Sequence, residues 1–121
     1  MEQWEKNFAW DRIRHLVQER FGRTTLPDLN AVLFLIGIQE LGRWQAQFSK
    51  EEKQDLMHIG VCRLLSYDGY YRFAGRDADG WPHYELVQPV PAHGLEAQEE
   101  LLKEKVIQYF ADLEKEEGSM G

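Results

Sequence analysis

Residues 67–87 read YDGYYRFAGRDADGWPHYELV. Two short runs of alternating aromatic and polar residues flank Arg76-Asp77-Ala78-Asp79-Gly80, which is turn chemistry. Period-two alternation on both sides of such a turn predicts an antiparallel β-hairpin over about 69–88. Helical spacing dominates elsewhere, so this hairpin sets the class: α+β, mainly helical, in the order α-α-α-β-β-α. A two-stranded hairpin is marginal alone and has to pack on the helices. Alternation puts Tyr71 and Phe73 opposite Tyr84 and Leu86 as an apolar inner face assigned to the core. The outer face then holds Tyr70, Arg72, Trp81, His83 and Glu85. Tyr, Trp and Arg are enriched in protein interfaces, so Tyr70, Arg72, Arg76, Trp81 and His83 form the candidate partner-binding set.

The same turn raises the question of calcium. Aligning Gly80 with the invariant glycine of an EF-hand loop puts Asp77 and Asp79 on ligand positions. Gly75 and Leu86 then fall where the first and last acids belong, so the segment reads as a turn.

Working outward, helix 1 is expected from about Asn7 to Phe21, with Gly22 as its stop and Trp4 upstream as an anchor. Ala9, Ile13, Leu16, Val17 and Phe21 share one face. Helix 2 is expected to open at Thr25 and Pro27 and to continue through AVLFLIGIQELGRW. Residues 31–38 are apolar all round, as suits a central helix; a buried strand is the competing reading, and the run on to Leu41 and Trp44 favours helix. Gly37 within it implies close helix approach. Helix 3 has the clearest start, a Ser49-Lys50-Glu51-Glu52 capping box, with Met57, Val61, Leu64 and Leu65 as its buried face. The last helix is expected from about Leu95 to Glu117, with Leu95, Leu102, Val106, Phe110 and Leu113 in one stripe and Gly118 as its end. These elements imply a single domain over 1–117 and a disordered tail at 118–121.

The chain has 121 residues, enough for one core without disulfides or a metal. Of its net charge of −7, residues 94–121 hold eight acids and three bases, leaving only −2 for residues 1–93. An acidic chain repels phosphate backbones unless a local basic patch compensates, so nucleic acid is a disfavoured partner. The single cysteine, Cys62, forbids an intrachain disulfide and indicates a reducing compartment. The charged N-terminus has no signal-like apolar stretch, and residues 31–38 are too few to span a bilayer. A cytoplasmic protein without membrane contact is therefore expected.

Candidate chemistry concentrates on helix 3. Glu51, Asp55, His58 and Cys62 recur at helical spacing and share one face. Asp55 and His58, one turn apart, have the carboxylate–imidazole geometry of di-metal helix bundles. Asp11 with His15, at i,i+4 instead of i,i+3, and Glu40, the one well-placed carboxylate on helix 2, would have to complete such a centre, which needs a further carboxylate as well. A solvated helix edge with Cys62 as a small buried hydrophobe is the preferred reading, so neither a metal nor a cofactor is expected. Cys62 and His58 lack an orienting third group for nucleophilic catalysis, and no phosphate-binding glycine loop occurs.

Three helices and a hairpin also follow the order of a winged helix-turn-helix. Arg72 and Arg76 could then reach phosphates, yet the exposed start of helix 3, KEEKQD, mixes carboxylates with its lysines where base-reading side chains belong. A non-catalytic protein-interaction domain, self-associating as a homodimer, is the leading expectation. A nucleic-acid binder and a metal-dependent bundle enzyme are the alternatives.

LPDLNAVLFLIGIQELG, FSKEEKQDLMHIG and DGWPHYEL together resemble a group of small uncharacterised proteins of Bacteroidetes-type bacteria. The resemblance implies a bacterial cytosolic origin and attaches no activity or site.

Overall fold

The computed structural model describes residues 2–120, with side chains through residue 117. The order is α1 (Gln3–Arg20), α2 (Leu29–Leu41), α3 (Lys50–Leu65), a 3-10 turn (Ser66–Asp68), β1 (Tyr71–Arg76), β2 (Pro82–Leu86) and α4 (Leu95–Met120). This is the expected mainly helical α+β arrangement, with one two-stranded antiparallel sheet. No helix among the described residues is long and apolar enough to cross a membrane.

Contacts gather the chain into two compact units, where the sequence suggests one domain. The first joins residues 1–28 to residues 92–121 and so contains α1 and α4. Lys6 pairs with Glu100 and Glu104, Arg12 with Glu114, and Arg20 with Glu117, so the two helices run parallel. Trp10, Ile13 and Val17 of α1, and Val106, Tyr109 and Phe110 of α4, are buried. Helix α1 begins four residues earlier than expected, because the Glu5 carboxylate accepts from the Glu2 amide and closes its first turn. Trp4 therefore lies inside the helix, and it is exposed, as is Phe21. At the other end α4 is helical past Gly118 to Met120, while Leu95, expected in its apolar stripe, is exposed. The tail expected at 118–121 lies outside the residues whose side chains are described.

The second unit, residues 29–91, holds α2, α3 and the hairpin. Helix α2 starts at Leu29, after Thr25 and Pro27, and stops at Leu41, so Trp44 lies beyond it and is exposed. Helix α3 starts where the capping box requires: the Ser49 hydroxyl accepts from the Glu52 amide at 3.0 Å, and the Glu52 carboxylate accepts from the Ser49 amide at 2.8 Å. A Cβ on Gly37 would collide with the Leu56 carbonyl, and one on Gly60 with the Leu33 carbonyl. The two helices thus pass antiparallel with their backbones in contact. The inward side of α3 is Leu56, Ile59, Cys62, Leu64 and Leu65; Met57 and Val61 are only half-buried, a rotation from the expected face that brings Gly60 to the crossing.

Leu41, Phe48, Leu56 and Ile59 form a buried cluster against which Phe34, Ile38, Trp81 and Tyr84 pack. The hairpin thereby closes one side of this core. Its register pairs Tyr71 with Leu86, Arg72 with Glu85 and Phe73 with Tyr84. A bulge between Phe73 and Gly75 then shifts the alternation, with Gly75 at a φ of 108°.

Candidate functional site

The inner-face assignment holds for only part of the hairpin. Tyr71 and Tyr84 are half-buried, but Phe73 is 52% exposed and Leu86 59%. Phe73 meets the Tyr84 ring edge-on and lines a shallow cleft with Glu40, Arg63 and Arg76. Val87, the next residue, is exposed as well. Phe73 and Leu86 therefore expose apolar side chains on one face of the hairpin, and Val87 does so just past β2. The sequence reading missed this exposure because it gave the whole alternating face to the core. Phe73 pairs with Tyr84 and Leu86 with Tyr71, so the two exposed residues lie on a diagonal of the same face, and no local rule separates them from their half-buried partners.

The structure distributes the candidate partner-binding residues among several tasks. Arg72 forms a cross-strand ion pair with Glu85 on the solvent side. Arg76 donates to the Glu40 carbonyl at 2.7 Å, to the Gly80 carbonyl at 2.8 Å and to the Leu41 carbonyl at 3.3 Å. It therefore caps the C-terminus of α2, whose last carbonyls have no intrahelical donor. Trp81 packs against the buried cluster and is only half-exposed. Tyr70 is half-buried, and its carbonyl receives the Val87 amide at 2.8 Å. His83 remains on the surface, with its Nε2 2.9 Å from Asp77 Oδ2. The other Asp77 oxygen accepts the amides of Asp79 and Trp81, fixing the turn. The hydrogen bond from His83 and the amide of Trp81 hold the Asp77 carboxyl below its usual range. The sequence reading left His83 without a carboxylate partner; the bulge between Phe73 and Gly75 brings the two together.

The stripe on α3 lies beside the same turn. Asp55, His58 and Cys62 line one side of a cleft of about 370 Å³, and Asp77 and His83 line the other. Ile59, Trp81, Pro82 and Tyr84 complete its wall. Glu51 is exposed and does not line it. Cys62 is 1% exposed, with its Sγ 3.4 Å from His58 Nε2. Burial pushes the Cys62 thiol up to about 11, so this cysteine stays protonated and is a poor nucleophile near neutrality. Burial, reinforced by the nearby Glu40 carboxylate, pushes the Tyr84 phenol up to about 12.

The residues that would complete a di-metal centre are occupied elsewhere. Glu40 accepts from Arg63 at 3.1 Å, and Asp11 faces Arg14 at 3.7 Å. His15 contacts the backbone carbonyl of Asp11 and not its carboxylate. Among the described residues no three His, Cys, Asp or Glu side chains converge to share an ion.

No protein-family model matches the chain, and neither a curated protein nor a solved structure is significantly similar to it, so none of these comparisons bears on the resemblance to small bacterial proteins.

Proposed function

We propose that this protein is a non-catalytic, cytoplasmic protein-interaction module that self-associates through its hairpin. The observation that carries this reading is the exposure of Phe73 and Leu86 on one face of the sheet, with Val87 exposed just past it. Single exposed apolar residues are ordinary, but two on a diagonal of one sheet face offer a partner a shared apolar contact. The sheet has only two strands, so the outer edge of each offers backbone donors and acceptors to a further strand. Antiparallel pairing of one edge with its own copy satisfies twofold symmetry, the commonest form of homo-oligomer. The arginines support protein contact over nucleic acid. Arg12, Arg20, Arg72 and Arg76 all have local partners, which leaves little basic footprint for a phosphate backbone.

Light scattering coupled to size-exclusion tests the proposal with the native chain and with Phe73→Ser plus Leu86→Thr. Both replaced residues are exposed, so the variant should keep the fold. A dimeric native chain and a monomeric variant are expected. A native chain that stays monomeric at high concentration, or a variant that remains dimeric, overturns the hairpin interface.

A further inference from the structure

The cleft between α3 and the hairpin combines a concave aromatic wall with acidic groups on both sides. Its volume, about 370 Å³, lies within the range of small-ligand sites, at the lower end. Asp55 enters from α3 and Asp77 from the turn, and no lysine or arginine lines the space. Asp77 is fixed by three bonds, two from turn amides and one from His83, and so presents a rigid carboxylate edge. Asp55 is exposed and free to adjust to an incoming group. Trp81, Tyr84 and Ile59 supply an apolar floor that is already part of the packed core and costs little to organise. An anion would meet two carboxylates there, and a purely apolar ligand would leave them partly desolvated without a partner. A cation with an apolar body satisfies both halves: its charge faces Asp55 and Asp77, and its body lies on the indole and phenol rings.

We infer that this cleft is a binding site for a small organic ammonium compound, with Asp55 as the adjustable counter-charge and Trp81 as the aromatic platform. The site is separate from the exposed residues Phe73, Leu86 and Val87, none of which lines the cleft. It therefore does not depend on self-association.

Benzylammonium, benzyl alcohol and benzoate, three probes of similar shape and different charge, test the inference by NMR. The readouts are the indole N–H signal of Trp81, assigned with Trp81→Phe, and the ring signals of His58. All three probes are compared at about pH 8, where benzylammonium is a cation and benzoate an anion. Benzylammonium is expected to shift both signals saturably, while the alcohol and benzoate leave them in place. Asp55→Asn, an exposed and structurally mild change, is expected to weaken the ammonium about fivefold, the size of one partly screened charge contact. Equal shifts from the alcohol, unchanged affinity in Asp55→Asn, or no shift from benzylammonium would each overturn the assignment.

Discussion

Gly37 of α2 lies directly over the backbone carbonyl of Leu56 on α3, with no room for a side chain between them. Gly60 makes the reciprocal contact with the carbonyl of Leu33. In a helix interior, glycine to alanine ordinarily stabilises by up to about 1 kcal/mol. Here the added carbon would meet backbone, which cannot swing aside as a flexible side chain can. Gly37→Ala and Gly60→Ala should therefore each destabilise by about 2–3 kcal/mol, as overpacked cores do. The double variant should cost less than the sum of the two, because one alanine already forces the helices apart. Urea unfolding measures all three, and a stabilised single variant would show that the two backbones are not in contact at the crossing.

Arg76 ties the hairpin to the end of α2 through two carbonyls, those of Glu40 and Leu41, and braces its own turn through that of Gly80. Arg76→Met keeps the aliphatic stem and removes the donors, and should cost about 1–2 kcal/mol, since hydrogen bonds from a charged group are worth more than neutral ones but this one is partly solvated. Arg76→Lys should recover only a part, because an ammonium cannot span acceptors that a planar fork reaches together. Hydrogen exchange at the Asp77 and Gly80 amides, which bond within the turn, should accelerate in the methionine variant. Unchanged exchange would mean that Arg76 anchors neither the turn nor the helix end.

These two anchors also show how far the chain can be read without its structure. The capping box at Ser49 and Glu52, the cross-strand pairs around Phe73 and the close approach at Gly37 all follow from local rules, and each is present. Gly60 was legible in principle: Leu56 precedes it by four residues as Leu33 precedes Gly37, a repeated spacing that marks two facing helices. Its importance shows only when the helices are laid against each other. The site was less legible for the same reason. Phe73 and Trp81 carry similar local signals, but the bulge after Phe73 and the reach of the core decide that Trp81 packs against the buried cluster while Phe73 does not. Arg76 looked like a surface cation because no sequence rule links it to Glu40, thirty-six residues earlier.

Cys62 gives a chemical test of the cleft. Its thiol is buried and pushed up to about 11. Reaction with a disulfide reagent at about pH 8 should be slower than for an ordinary exposed cysteine by at least the loss in thiolate, which is about a hundredfold when the pKa rises from 9.0 to about 11. Mild urea, below the unfolding transition, should speed it by local opening. Prompt labelling in native buffer would place Cys62 in an open, activated setting and would revive it as a nucleophile.

Lys6 carries a pH signature for the α1–α4 unit. Its ammonium is buried at 2.7 Å from Glu100 and 3.1 Å from Glu104, both of which remain partly solvated. Burial alone would lower the Lys6 pKa, but its bonds to Glu100 and Glu104 outweigh this and raise it above 10.5. The bond from Lys6 holds Glu100 below 4.5. A lowered carboxyl contributes stability that is present above its unfolded value and lost as pH falls through the folded one. A raised ammonium contributes stability that is full below its unfolded value and lost as pH rises through the folded one. The stability difference between the native chain and Lys6→Met should thus be level between about pH 5 and pH 10 and shrink on either side. Solvent and salt screen the glutamates, so the plateau should be about 1 kcal/mol and fall with added salt. Thermal unfolding across pH measures it. A difference that persists undiminished at about pH 2, where carboxylates are protonated, would assign the effect to packing of the lysine stem instead of its charge.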